Sequence, residues 1–275
     1  MKTLLAVAAI AVAAVTFGPA AAQPAAPIQM WRLDCGEIQV SNLDVFSDTF
    51  AYVGQKKTLT DSCYLIRHGE NYLLWDSGLP GELAGKTAPP SGPFTMSLKA
   101  RVTDQLARIG VRPEQVNFVG ISHNHDDHLG QAADFPKATL LIGSEDYEAT
   151  AKGPSAARLA PWIKGGTKVE KIDRDHDVFG DGSVVILDMP GHTHGHQSLL
   201  VRLPRTGPVL LTGDLYHFTE NMRRHGMPSF NVDRSDTLGS FDRFDTIARN
   251  LKARVIIQHE PDDVAKLPAF PQAAN

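Results

Sequence analysis

The sequence has few cysteines and no excess of positive charge, and each of these features excludes a class of protein. Only two cysteines, Cys35 and Cys63, occur among the 275 residues, which excludes the zinc fingers that need three or four cysteine ligands. Acidic and basic residues are interspersed, with a formal net charge of −4. The sequence therefore lacks the basic patch that a nucleic-acid substrate requires, and we expect no nucleic-acid partner.

Long apolar runs are also absent, apart from one at the amino terminus. There, residues 4–17 form an apolar run after the charged start Met1-Lys2-Thr3, and the small residues 20–22 follow. This order is typical of a cleavable secretory signal peptide, and the run is too short for a comfortable membrane span; an uncleaved anchor is the alternative. We predict that residues 1–22 are a signal peptide and that residues 23–275 form one domain. The product would be periplasmic or secreted, with no membrane association after cleavage.

Four side chains that commonly bind metals lie within one stretch of six residues. Residues two apart on an extended segment point the same way, so His123 and His125 can hold one cation together. Asp127 and His128 then turn toward an adjacent position. Imidazole and carboxylate groups are the ligands that zinc and its first-row neighbours accept. The apolar run 116–121 before the cluster predicts a buried strand, and open α/β sheets place their sites at strand ends; a histidine-rich polar turn is the alternative.

Three further apolar runs each lead to one candidate ligand, namely His192, Asp214 and His259. This pattern is expected when several strands deliver ligands to one edge of a fold. Two sets can be assembled around a bridging Asp214 carboxylate: His123, His125 and His192 on one side, and Asp127, His128 and His259 on the other. Such a set suits a two-metal site, in which the ions lie about 3.5–4 Å apart.

These motifs together resemble those of the metallo-β-lactamase superfamily. The resemblance rests on His123-x-His125-x-Asp127-His128, Gly191-His192, Gly213-Asp214 and the late His259. Within the superfamily the chain is most similar to the N-acyl homoserine lactonase family, through residues 33–36, 62–66, 75–80, 190–192, 195–199 and 213–217. The resemblance implies an α/β fold, the single-domain αββα sandwich, with two divalent metal ions, zinc being the expected metal. It also implies a small-molecule lactone or ester substrate, foremost an N-acyl homoserine lactone, and hence quorum quenching.

Two positions depart from the lactonase pattern. Well-known members carry a tyrosine three residues after the bridging aspartate, whereas this chain has His217 there and Tyr216 one residue earlier. Both side chains can donate a hydrogen bond to a substrate. His194 also stands where proline is commoner. These departures leave the identity of the substrate open.

A paired metal site of this kind lowers the pKa of a bound water and polarises a carbonyl group. Asp127 is then the candidate to move the proton onto the leaving alkoxide, and His217 or Tyr216 could stabilise the oxyanion. The same chemistry suits esters, lactones, β-lactams and phosphotriesters, and only the resemblance favours lactones.

Two other classes of function stay open. One is a different hydrolase on the same site, although a bridging Asp214 disfavours a typical β-lactamase. The other is an iron-dependent oxidoreductase or a metal-binding protein without turnover, although the diiron branch of the superfamily has glutamate where this chain keeps His125. The oligomeric state is open between a monomer and a homodimer.

The cysteines have two alternative states. A disulfide between Cys35 and Cys63 is chemically allowed in an exported protein. Both residues lie in apolar, strand-like runs, and proteins of the resembling family carry cysteines nearby without needing a bridge. Two reduced thiols are therefore the interpretation we favour, with the disulfide as the alternative.

The order of strand-like and helix-like segments predicts two β-rich halves packed face to face and flanked by helices. We expect a helix over residues 98–109 and another over residues 237–251, capped by Asp236 with Leu238 facing inward. The proline-rich segment 81–97 has two interpretations, a cover over the metal site or a disordered surface loop.

Overall fold

Two β-sheets form the centre of the structure, a computed structural model that describes residues 27–275. The predicted signal peptide lies outside the described residues. The first sheet has eight strands and the second has five. Among the helices of residues 27–275, none is long and apolar enough to cross a membrane.

The strands of the first sheet are β1 (Ile28–Val40), β2 (Lys57–His68), β3 (Asn71–Trp75), β4 (Lys86–Thr87), β5 (Phe94–Leu98), β6 (Phe118–Ile121), β7 (Thr139–Gly143) and β8 (Val169–Ile172). Those of the second are β9 (His176–Asp177), β10 (Val184–Asp188), β11 (Gln197–Leu203), β12 (Gly207–Leu211) and β13 (Arg254–Ile256). The strand order is β4-β5-β1-β2-β3-β6-β7-β8 in the first sheet and β13-β12-β11-β10-β9 in the second. The helices are α1 (Val102–Arg108), α2 (Asp126–Leu129), α3 (Ser144–Lys152), α4 (Ala160–Ile163), α5 (Thr219–Arg224), α6 (Arg234–Leu251) and α7 (Pro261–Val264).

The layers are held together by three apolar clusters. Between the sheets, side chains such as Trp75 of the first sheet pack against side chains such as Leu211 of the second. The outer face of the first sheet packs on α1, and the outer face of the second packs on Phe241 and Phe244 of α6. Full burial of one such side chain stabilises the fold by about 1.5–3 kcal/mol. This arrangement is the predicted αββα sandwich.

Two predicted helix starts are wrong. Leu98 belongs to β5, because residues 94–97 pair with β1 and extend the first sheet, so α1 begins only at Val102. The cap of α6 is Asp233, whose side chain accepts a hydrogen bond from the Asp236 backbone N–H. The helix therefore starts three residues earlier than predicted, and Leu238 faces solvent with 42% of its surface exposed.

A disulfide joins Cys35 and Cys63, against the interpretation that we favoured from the sequence. The two residues lie on neighbouring antiparallel strands, with Cα atoms 5.8 Å apart. A bulge between Asp34 and Gly36 brings Cys35 out of the regular register of β1 and β2. The pairing thus depends on an irregularity that an apolar run does not reveal.

Candidate metal centre

The seven side chains predicted as metal ligands come together at one edge of the sandwich. They follow the ends of β6, β10, β12 and β13. Because β6 is parallel to β3 and β7, and β12 is parallel to β13, the carboxyl ends of these strands lead to a common edge. The first ligand group comprises His123, His125, His192 and Asp214, and the second comprises Asp127, His128 and His259.

In the first ligand group, three imidazole nitrogens surround one carboxylate oxygen. His125 Nδ1 lies 2.9 Å from His123 Nε2 and 3.1 Å from His192 Nε2. Asp214 Oδ2 lies 3.4 Å from His192 Nε2 and 3.6 Å from His123 Nε2. Four potential ligand atoms therefore converge on one small volume.

The second ligand group faces the other oxygen of the same carboxylate. Asp214 Oδ1 lies 2.9 Å from His259 Nε2 and 3.1 Å from His128 Nε2, and these two nitrogens are 3.2 Å apart. Asp127 Oδ2 lies 3.9 Å from His259 Nε2. Asp214 thus presents one oxygen to each group, which is the geometry of a bridging ligand.

The outer ring nitrogens of three of these histidines donate hydrogen bonds away from the centre, so their inner nitrogens face it. His128 Nδ1 donates to Asp76 Oδ2 (2.9 Å), His259 Nδ1 to the Thr60 carbonyl (2.8 Å) and His192 Nδ1 to Asn231 Oδ1 (2.8 Å). An imidazole that donates from one nitrogen presents the other as a metal ligand. Asp214 Oδ1 is buried and has no hydrogen-bond partner among residues 27–275. Imidazoles with two carboxylates suit divalent transition metals, so the residues fit a pair of such ions.

The carboxylate and the histidines of this cluster shift one another's pKa values. Burial would raise the pKa of Asp214, but the surrounding histidines, His259 and His128 foremost, hold it well below its ordinary value. Burial lowers the pKa of His259, but Asp214 outweighs it and raises that pKa to about 9. Burial keeps the pKa of His123 well below the ordinary value. Protons and metal ions compete for these ring nitrogens, so metal binding is expected to release protons.

Asp146, in the first turn of α3, holds the two loops that carry the first ligand group. Its carboxylate accepts hydrogen bonds from the backbone N–H groups of Asn124 (3.2 Å) and Gly195 (3.0 Å) and from the Thr193 hydroxyl (2.6 Å). The sequence analysis missed this residue. An acidic residue in the first turn of a helix is ordinary, and nothing in the local pattern distinguishes a buried one.

Two other residues, His196 and Asp76, orient the ligands. His196 Nε2 accepts a hydrogen bond from the Asp214 backbone N–H (2.9 Å). Burial lowers the pKa of His196 to about 4, so the ring is neutral and can accept. Asp76 has a left-handed φ of +57°, a conformation that costs a non-glycine residue about 1–3 kcal/mol. The turn directs its carboxylate toward His128.

A pocket of about 380 Å³ opens onto this edge. Its floor is polar and its walls are apolar; the lining comprises His125, Asp126, Asp127, Asp214, His217 and His259 together with Ile38, Phe46, Leu59, Phe94, Met96 and Phe230. Phe94 and Met96 belong to the proline-rich segment 81–97. Of the two interpretations of that segment, the structure supports the one that brings it to the metal centre.

His217 and Tyr216 are placed in different environments. His217 lines the pocket and packs against Phe46, with ring centroids 4.7 Å apart. Tyr216 stacks on Phe241 in the core beneath α6, and its hydroxyl lies 3.4 Å from Asp245. The structure therefore brings His217 to the site and leaves Tyr216 out of it, which removes Tyr216 as a candidate for contact with a substrate.

Comparison with known proteins agrees with this architecture. The family model described as the metallo-beta-lactamase superfamily matches residues 59–259. The chain is 33% identical over 233 residues to the N-acyl homoserine lactonase AttM of Agrobacterium fabrum, covering 76% of this chain and 85% of that protein. It is 30% identical over 223 residues to the AttM protein of Azorhizobium caulinodans, covering 72% of this chain and 81% of that one.

A solved structure has the same fold. It is an N-acyl homoserine lactone hydrolase with the product N-hexanoyl-L-homoserine bound at the catalytic metal center, and it superposes with a TM-score of 0.76 at 23% identity. The superposition covers 91% of this chain and all of that one. The family match, the curated relatives and the shared fold agree. This chain belongs to the metallo-β-lactamase superfamily, with N-acyl homoserine lactonases as its relatives, and is a metal-dependent hydrolase.

Proposed function

We propose that this protein opens the lactone ring of N-acyl homoserine lactones at a pair of zinc ions, and so quenches quorum sensing. The observation that carries the proposal is Asp214, whose two oxygens face two separate ligand groups on the floor of an apolar-walled pocket. The names of the relatives support the substrate class. The metal pair, when bound, supplies Lewis acidity and a water of lowered pKa.

Asp127 is the residue that moves a proton. It lines the pocket, and its Oδ2 is 3.9 Å from His259 Nε2 and 4.0 Å from His128 Nε2. A carboxylate that touches both a ligand group and the substrate pocket can take a proton from water and deliver it to the leaving alkoxide. Ring opening needs that delivery, because the alkoxide is otherwise a poor leaving group.

His217 is the residue that positions the substrate carbonyl. Its ring is buried, and neither ring nitrogen has a hydrogen-bond partner within the described chain. Its Nε2 lies 3.0 Å from Asp214 Oδ2, but without the alignment of a hydrogen bond. A buried, unpartnered donor beside the reacting groups can stabilise the charge that develops on the carbonyl oxygen.

The apolar walls accommodate the acyl chain. The rings of Phe46, Phe94 and Phe230 meet edge to face with centroids 5.6–6.1 Å apart, which gives one continuous aromatic wall. The volume of about 380 Å³ lies within the range of small-molecule sites, roughly 300–1,000 Å³. An acyl chain buried there would contribute about 0.8 kcal/mol for each methylene group.

The substrate class is tested with the mature protein and a panel of lactones, β-lactams, aryl esters and phosphotriesters. The metal-loaded protein should hydrolyse N-acyl homoserine lactones with the highest kcat/KM, and the chelator-treated protein should not. Preferred turnover of a β-lactam or a phosphotriester would replace the proposal with another hydrolase. Oxygen consumption by an iron-loaded sample, without lactone turnover, would replace it with an oxidoreductase.

Export is part of the proposal. The amino-terminal pattern of residues 1–22 supports it, as does the Cys35–Cys63 disulfide, because disulfides persist in oxidising compartments. Mass spectrometry of the natively expressed protein should find an amino terminus near residue 23 in a periplasmic or secreted fraction. An intact Met1 terminus in the cytosolic fraction would contradict it.

A further inference from the structure

Gln258, the residue before His259, is a fully buried amide at the junction of the two sheets. Its Nε2 donates to Asp76 Oδ2 (2.9 Å) and to the Ser62 carbonyl (3.3 Å). Its Oε1 accepts from the Gly213 backbone N–H (3.0 Å) and from Trp75 Nε1 (3.1 Å). A carboxamide has two donor hydrogens and two acceptor positions, and this one uses all four.

The partners of Gln258 belong to both sheets. Ser62 in β2 and the Trp75-Asp76 pair at the end of β3 are in the first sheet, whereas Gly213 follows β12 in the second sheet. Gln258 itself follows β13 of the second sheet. One side chain therefore joins strand ends of the two sheets at the base of the metal centre.

Two of these four bonds lead to a metal ligand within one step. Asp76 accepts at the same oxygen from Gln258 Nε2 and His128 Nδ1, so the amide fixes the carboxylate that orients that ring. Gly213 precedes Asp214 and is confined: its φ is +56°, and a Cβ there would lie 2.7 Å from His196 Nε2. His259 is the next residue in the chain.

We propose that Gln258 is a positioning residue for the second metal ion. It sets the separation between His128, which the first sheet supplies, and the Asp214 and His259 side chains, which the second sheet supplies. The proposal rests on the two-metal site and not on the identity of the substrate. Among the described residues, no member of the first ligand group hydrogen-bonds to Gln258 directly; the link to Asp214 runs through the N–H of the preceding Gly213.

The test is metal binding to the apoprotein, measured by titration with cobalt(II) against a chromophoric chelator and by the visible absorption of bound cobalt. The Gln258→Met variant keeps the volume of the side chain and removes all four hydrogen bonds. Loss of a partner that orients a ligand typically costs about 10–100-fold in metal affinity. We expect that loss for one of the two cobalt ions, with the other bound as in the wild type.

Gln105→Met is the matched control. Gln105 is also buried, and its amide makes two hydrogen bonds with the Asp34 backbone, between α1 and β1 and away from the ligand groups. This variant should lower the thermal midpoint and leave both cobalt affinities unchanged. A purely structural role of Gln258 would predict the same result for both variants.

Gln258→Glu tests which bond matters. It keeps an acceptor for Gly213 and replaces the donor to Asp76 with a second carboxylate oxygen, so we expect the same selective loss as with methionine. Two cobalt ions bound with wild-type affinity in both variants would overturn the proposal. An equal weakening of both ions, or the failure of both variants to fold, would overturn it as well, because Gln258 would then be a general structural residue. Lactone turnover is not needed for any of these outcomes.

Discussion

The two ligand groups share one carboxylate but are held by different parts of the fold. The first ligand group lies on loops whose backbone N–H groups converge on Asp146, a side chain of a flanking helix. The second is held by side chains and carbonyls of the strand ends themselves, through Asp76, Gln258 and the Thr60 carbonyl. The first ligand group is therefore supported by a helix packed against the sheet, and the second by contacts between the sheets.

The pKa values of the histidines also differ between the two ligand groups. In the first ligand group, burial lowers the pKa values of His123 and His192 well below the ordinary value, so both rings are neutral. In the second, burial is outweighed by carboxylates, which raise the pKa values of His128 and His259. Asp214 and Asp76 are the closest of these carboxylates. The two sites should therefore lose their ions under different conditions.

The largest effect is expected for Asp214→Ala, because this carboxylate presents one oxygen to each ligand group. Removal of the bridge should reduce the bound metal from two equivalents to less than one and reduce hydrolysis to the rate of the chelated protein. Elemental analysis and turnover on the same sample measure both. A single equivalent with full activity, in this variant or in the wild type, would contradict the bridging role of Asp214.

The Asp127→Asn variant should have the next largest effect. It keeps one ligand oxygen and the shape of the side chain but removes the proton carrier, and loss of a positioned acid or base typically costs on the order of 10²–10⁴ in rate. Metal content has to be determined on the same preparation, because a weaker second site would add to the loss. If both metals and near-normal lactone turnover are retained, the leaving group is protonated by another residue, with His217 the next candidate.

His217→Phe should cost about 10²–10³ in kcat, the usual cost of losing one donor to a developing oxyanion. Both metals should stay bound, because His217 belongs to neither ligand group. Tyr216→Phe is the matched control: it removes one hydroxyl near Asp245 outside the pocket and should change kcat by less than about threefold. Equal losses of kcat in the two variants would contradict the placement of His217 in the pocket and of Tyr216 outside it.

The Asp146→Asn variant tests the support of the first ligand group. The amide nitrogen of asparagine would face a backbone N–H donor, so one of the two loops is released. We expect about a 10–100-fold weaker first metal, with the second unchanged, which is the reverse of the result proposed for Gln258→Met. Cobalt titration distinguishes the two. If only the second ion bound more weakly, the assignment of Asp146 to the first ligand group would be wrong.

A change of pH should separate the two sites without any substitution. Histidines with raised pKa values stay protonated to higher pH, so an ion at the second ligand group must displace a proton from His128 and, below about pH 9, another from His259. Each displaced proton costs about a tenfold loss of affinity per pH unit. His123 and His192 are already neutral near pH 7, so the first ion should be retained as pH falls from 8 to 6 while the second weakens. Parallel loss of both ions would contradict this difference.

Local chain geometry made the convergence of the candidate ligands predictable. His123 and His125 follow a buried strand, and two-residue spacing on extended chain directs both side chains to one side, whatever the rest of the fold does. Apolar runs that end on His192, Asp214 and His259 indicate strand ends for the same local reason. The strands and the sandwich followed from these runs, and errors arose where a tertiary contact overrode the local pattern, as when pairing with β1 drew Leu98 into β5.

Only the tertiary structure decided what supports and surrounds those ligands. Asp146 and Gln258 act through hydrogen bonds to residues distant in the chain, and no spacing marks a buried polar side chain as different from an exposed one. The choice between His217 and Tyr216 depended on which of two adjacent side chains the turn after β12 directs into the pocket. The disulfide depended on a bulge that moved Cys35 into reach of Cys63. The sequence alone determined the chemistry of the site, because ligand type and strand-end position are local. The residues that orient the ligands and line the pocket could be identified only from the fold, because their positions depend on long-range packing.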